Sequence, residues 1–223
     1  NSIIGAALAV CKKHLNSTKA FRAVLINSGN ANCFTGKAGL KDAETCAGYI
    51  ARELKIGKTS VLVNSTGIIG KKLDLAKIKQ AIPVLVRGLS GAGIDKAKQA
   101  IMTTDTFSKE VSLSLKIGAR SVHICGIAKG AGMIAPNMAT MLCFILTDAR
   151  ITKQALDKAL TAAVEKSFNC ITVDGCMSTN DTVLVLANAA AGNKIISSGR
   201  DLQDFSAALD ILCLDLAKMV IKD

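Results

Sequence analysis

Lys129-Gly130-Ala131-Gly132-Met133-Ile134-Ala135-Pro136-Asn137-Met138-Ala139-Thr140-Met141-Leu142 is the stretch that decides how the chain reads. A Gly-rich turn and a Pro-Asn turn stand between two apolar runs, Ser121 to Ala128 before them and Thr140 to Thr147 after them. Short apolar runs bounded by turn residues read as strands, so the pattern is strand, tight loop, strand. A Thr at the mouth of a buried strand can be a nucleophile, and it can equally be an ordinary strand residue. Two other polar stretches bear on that choice. One is Asn64-Ser65-Thr66-Gly67-Ile68-Ile69-Gly70; the other runs from Ser167 to Gly175 and on to Ser178-Thr179-Asn180-Asp181-Thr182.

Working outward, Phe21 to Ile26, Ser60 to Val63, Val111 to Leu115 and Val183 to Ala187 read as further strands. Residues 3–15, Leu40 to Leu54, Leu73 to Leu89, Asp95 to Met102, Thr152 to Phe168 and Leu202 to Val220 carry helical spacing. Pro83 is expected to end or kink its helix, and Gly88 to Gly93 is the expected soft joint. Strands and helices alternate irregularly, and some strands follow one another directly. That predicts an α/β fold of the layered, α+β sandwich kind, with sheets flanked by helices; the strand order is not fixed.

Composition narrows the class. The chain has 223 residues, half of them hydrophobic and a fifth charged, with aromatics at 3%. It is globular, with a core of aliphatic residues, and no apolar run reaches the length of a membrane span. Eight Cys without a C-x-x-C pair read as reduced core residues of a cytoplasmic protein rather than a metal site. Two His leave a Ser-His-Asp or Cys-His arrangement thinly supplied. The net charge of +11 favours anionic ligands. The Lys residues are spread along helices without interleaved aromatics, so solvated helix faces explain most of that charge and a nucleic-acid surface is not indicated.

If Thr140 is a nucleophile, it needs a base. Cutting the chain before Thr140 creates one, because a new α-amine has an intrinsic pKa of about 7.7–8. A Thr with its own amine is a recognised activated nucleophile. The same hydroxyl can make the cut by attacking the small Ala139 residue at its carbonyl, in an N-to-O acyl shift. The strand-then-Ser-Thr-Gly pattern at Thr66-Gly67 suits an anion or oxyanion pocket. The Asn27 to Asn32 loop reads either as a plain turn or as the lining of a polar site.

Asn27 to Ala43 (N-S-G-N-A-N-C-F-T-G-K-A-G-L-K-D-A), S-T-G-I-I-G, M-T-T-D-T at 102–106, K-G-A-G-M-I-A-P-N-M-A-T-M-L and S-F-N-C-I-T-V-D-G-C-M-S-T-N-D-T together resemble the ornithine acetyltransferase (glutamate N-acetyltransferase) family of arginine biosynthesis. The resemblance implies self-cleavage at Ala139–Thr140, so that residues 1–139 and 140–223 lie in two chains that stay associated, as a heterotetramer. It implies that Thr140 is the nucleophile, that Thr66 and Gly67 form the oxyanion hole, and that Thr103, Lys129 and Thr140 bind substrate. The implied reaction is ping-pong, passing an acetyl group from N-acetylornithine to Thr140 and then to glutamate. Some members use acetyl-CoA as well. No cofactor, metal, nucleic acid or membrane is implied, and the implied fold is that of the related N-terminal-nucleophile amidases.

Some positions depart from the family pattern. Ala131 stands where Ser is usual, and Cys33 and Cys170 are atypical in their loops. The chain is expected to start inside the first domain and to stop shortly before a Gly-Glu-Gly segment whose Glu binds substrate. Two other readings stay open: an N-terminal-nucleophile amidase or aminopeptidase, and a basic binding module without catalysis. Against the module, the Lys129 loop lacks the spacing of a phosphate loop.

Overall fold

The computed structural model describes residues 3–18, 20–134 and 141–223. It parts into two compact units between Thr103 and Thr104, not at the expected joint at 88–93. The helix beyond that joint stays with the first unit. The Ser28 hydroxyl donates to Ala100 O at 2.6 Å, and Ile101 is buried.

The first unit contains α1 (Ala6–Ser17), β1 (Ala23–Asn27), α2 (Gly36–Leu54), β2 (Val61–Ser65), α3 (Leu75–Arg87) and α4 (Ile94–Ala100). β1 and β2 pair in parallel, from Ala23 opposite Val61 to Asn27 opposite Ser65. Parallel neighbours need a crossover, and α2 supplies it. Its buried positions Ala43, Cys46, Ala47 and Ile50 recur at helical spacing and form the face that meets the sheet. α3 begins on Asp74, whose carboxylate accepts from Lys77 N at 3.0 Å. The helix runs through Pro83 to Arg87, so of the two expected effects Pro83 does not end it. Its packing against α2, with Ile82 buried, accounts for the helix continuing despite the donor that Pro83 lacks.

The second unit is a sheet in the order β3 (Lys109–Ile117), β4 (Arg120–Lys129), β5 (Leu142–Thr147), β6 (Thr182–Ala187). The first two pairings are antiparallel, and β5 and β6 run parallel. α5 (Lys153–Glu165) provides the crossover, and α6 (Gly199–Lys222) closes the unit. Strand periodicity sets one face. Val122, Ile124, Cys143 and Ile145 join Phe205, Leu209, Leu212, Leu216 and Val220 of α6 in one core. Gly126 lets α6 come close: a Cβ there would lie 2.8 Å from the Leu212 side chain and 2.9 Å from that of Leu216. The molecule is thus α/β, with sheets flanked by helices, as the alternation of elements predicts. No helix among the described residues is long and apolar enough to cross a membrane.

Candidate active site

In the first unit, β2 runs directly into Thr66 and Gly67. Thr66 is buried, and its N–H donates to Asn27 O at 3.0 Å. Gly67 has φ 126°, and a Cβ there would lie 2.4 Å from the Gly29 carbonyl carbon. Only glycine fits so close to another backbone with that dihedral. Among the described residues the Gly67 N–H has no acceptor. With the Thr66 amide engaged, the backbone donor this turn leaves without an acceptor among the described residues is the Gly67 amide. The Asn27–Asn32 loop is more than a plain turn: Asn27, Ser28 and Asn30 line a cleft of about 470 Å³ with Asn64 and Ser65. Thr103 is exposed at the end of this unit.

In the second unit, Lys129 is the last residue of β4 and faces Leu142, the first of β5; Leu142 in turn faces Thr182, the first of β6. Three strand ends thus stand in register at one edge of the sheet. Lys129 is 2% exposed, and its Nζ lies 3.7 Å from Asp105 Oδ2. Burial pushes its ammonium below the ordinary lysine range; Asp105 opposes that shift and nearby Lys109 adds to it. A lysine so desolvated gains more than an exposed one from an arriving carboxylate.

Asp105 is the hub behind Lys129. Its Oδ1 accepts from Lys109 Nζ at 2.9 Å and from the Gly130 N–H at 2.6 Å, fixing the start of the central loop. Lys109 also pairs with Asp223, which in turn accepts from the Thr106 amide and hydroxyl. Burial alone would raise the Asp223 carboxyl, but Lys109 and Thr106 outweigh it and bring it down to about 2.

The structure also joins the central loop to the third polar stretch. Asp174 accepts from the Met133 N–H at 2.6 Å and the Ile134 N–H at 2.8 Å, and the Val173 N–H returns a bond to Ile134 O at 2.7 Å. The amides of Cys176, Met133 and Ile134 hold the Asp174 carboxyl below its usual range. Further along, Asp181 Oδ1 accepts from the Met141 N–H at 2.9 Å. Burial raises the Asp181 carboxyl to about 7, against the amides of Met141 and Ser178 and the charge of Lys129. Ala139, Thr140 and the Pro136-Asn137 turn lie outside the described residues. Sequence reasoning assigned no role to Asp105, Lys109, Asp174 or Asp181, although three of the four sit inside its quoted motifs.

A model of the ArgJ family matches residues 1–223, and the chain belongs to that family. An arginine biosynthesis bifunctional protein ArgJ from Geobacter sulfurreducens is 48% identical over 203 residues, which are 91% of this chain and 52% of that protein. A glutamate N-acetyltransferase from Methanocaldococcus jannaschii is 44% identical over 226 residues, which cover 100% of this chain and 55% of that protein. The chain thus spans about half the length of these curated relatives. The crystal structure of an arginine biosynthesis bifunctional protein from Bacillus halodurans matches with a TM-score of 0.57 and 34% identity, covering 64% of this chain and 73% of that one. The ornithine acetyltransferase of Mycobacterium tuberculosis, solved with ornithine, matches with a TM-score of 0.53 and 31% identity, covering 64% and 74%.

Proposed function

We propose that this chain forms the acyl-transferring part of a self-cleaving glutamate N-acetyltransferase of arginine biosynthesis. Cleavage at Ala139–Thr140 frees the α-amine of Thr140. That amine takes the Thr140 hydroxyl proton as Oγ bonds to the acetyl carbon of N-acetylornithine. The acetyl C–N bond then breaks, the proton passes to the departing ornithine amine, and acetyl-threonine remains. Glutamate reverses these steps, leaving as N-acetylglutamate. Acetyl-CoA is a second donor in the bifunctional form of the reaction. The Gly67 amide and the Thr66 hydroxyl stabilise the oxyanion. Lys129 receives a substrate carboxylate, and Thr103 contributes a hydroxyl. The two cleaved chains stay together and pair again as a heterotetramer, in the cytoplasm.

The observation that carries this reading is Lys129: a buried, desolvated ammonium at the strand end in register with Leu142, two residues after Thr140. Family membership and the ornithine-bound relative agree with an amino-acid substrate. The test is acetyl transfer from N-acetylornithine to glutamate, followed by product mass, with Thr140→Ala as the control. Transfer by the wild type and none by the variant supports the reading. Free acetate as the sole product points instead to an amidase.

A further inference from the structure

One carboxylate meets Lys129 at two points. Asp105 Oδ1 accepts at 2.6 Å from the Gly130 N–H, the amide directly after Lys129, and Asp105 Oδ2 lies 3.7 Å from Lys129 Nζ. The Asp105 carboxyl is itself fixed, because Lys109 Nζ donates to Oδ1 at 2.9 Å and neither of those side chains reaches solvent. Gly130 has φ 151°, a backbone that favours glycine where the chain leaves β4. Lys129 is 2% exposed, so water does little to shield its charge. A buried ammonium stays charged only beside an anion, and a flexible lysine stem stays in place only when its head is held.

We infer that Asp105 is the positioning residue for Lys129: taking the Gly130 amide on one oxygen and facing Nζ with the other, it keeps the ammonium charged and in place at the strand end where a substrate carboxylate is received. The inference rests on the reading of Lys129 as the group that receives that carboxylate. Asp105 does not itself meet the substrate; it acts through Lys129. The charged groups facing Lys129 are Asp105 and Lys109, from the chain entering β3, and Asp181, from the chain entering β6. Burial pulls the Lys129 ammonium down, Asp105 and Asp181 push it up, and Lys109 pulls it down again. Asp181 is ionised throughout the alkaline range, so its effect is common to wild type and to variants at Asp105. Removing the Asp105 charge therefore lowers Lys129, whereas removing the Lys109 charge raises it. Two variants that disturb the same buried cluster have opposite effects on one ammonium, which loss of structure alone does not produce.

Asp105→Asn tests this, because an amide oxygen still accepts from Gly130 while the charge is gone. Acetyl transfer from N-acetylornithine to glutamate is followed from neutral to alkaline pH. An opposite charge within about 4–6 Å moves a pKa by about 1–3 units. The alkaline limb of kcat/KM is therefore expected about one unit or more lower in Asp105→Asn, close to wild type in Asp105→Glu, and higher in Lys109→Met. Above the variant's limb, KM for N-acetylornithine should be about tenfold that of wild type, with kcat little changed. Nitrogen NMR of the Lys129 ammonium, assigned with Lys129→Gln, should show the same displacement without reliance on turnover. An unmoved limb and an unmoved Lys129 titration in folded Asp105→Asn overturn the inference and leave Lys129 as the carboxylate site. A limb that falls equally in Asp105→Asn and Asp105→Glu also overturns it, since the charge is then not what matters. Lys129→Gln with the KM of wild type removes the reading of Lys129 and this inference together.

Discussion

Lys109 donates to Asp105 at 2.9 Å with both side chains fully shielded from solvent. Asp105 in turn holds the Gly130 N–H and faces Lys129, so one buried pair braces the start of the central loop. Lys109→Met removes the ammonium that lies 2.9 Å from Asp105 and 2.5 Å from Asp223, and leaves both shielded carboxylates without it. Breaking a buried pair from one side typically costs about 3–5 kcal/mol. Urea unfolding should show a loss of that order. A loss below about 0.5 kcal/mol would mean that water enters the cluster.

Asp181 gives stability its own pH dependence. Its folded pKa of about 7 lies above the ordinary value, so the native state binds this proton more tightly than the unfolded chain. The stabilisation from that proton is complete below about pH 4 and is lost as pH rises through about 7. In the uncleaved Thr140→Ala background, Asp181→Asn should therefore melt higher than Asp181 at pH 8, and the difference should shrink toward pH 4. A Tm difference independent of pH would contradict the burial of this carboxyl in the charged state.

Thr66→Ala removes one of the proposed oxyanion donors, and kcat should fall about 10²–10³-fold with little change in KM. Gly67→Ala is more severe in a different way. Its Cβ would lie 2.4 Å from the Gly29 carbonyl carbon at φ 126°, so the turn itself must move. A lowered Tm is expected there and not in Thr66→Ala. Equal kcat in wild type and a folded Thr66→Ala would remove Thr66 from the site.

The elements were largely legible because their periodicity is local. The spacing in Leu40 to Leu54 falls within α2, and alternation in Val111 to Leu115 falls within β3. Pro83 does not end its helix, because the packing of α3 on α2 outweighs a local breaker. The joint misled because the chain folds α4 back onto the first unit through Ser28, a contact 72 residues long in sequence. Lys129 was singled out through the family resemblance of its motif; its burial beside Asp105 was not legible. Asp105, Lys109 and Asp181 were not legible either, since a charged side chain is the same letter whether exposed or fully buried. Their roles come from register and burial, which bring residues 105, 129, 181 and 223 to bear on one another only in the folded unit.

Cysteine reactivity should follow burial. Cys170 and Cys176 are exposed, whereas burial raises the thiols of Cys11 and Cys46 to about 11 and that of Cys213 to about 12. Brief alkylation of the native protein, followed by peptide mapping, should label Cys170 and Cys176 and spare Cys11, Cys46 and Cys213. Early labelling of Cys213 would show that the core beneath α6 opens readily.

The account stands on Thr140 becoming the first residue of a second chain. Intact mass and N-terminal sequencing after prolonged incubation read this directly. Wild type should give two fragments, the second beginning Thr-Met-Leu-Cys and gaining one acetyl group when N-acetylornithine is added. Thr140→Ala should stay whole, and Thr140→Ser should cleave in part. A wild-type chain that remains a single species beginning at its original N-terminus, or a Thr140→Ala variant that still takes up acetyl, would contradict it.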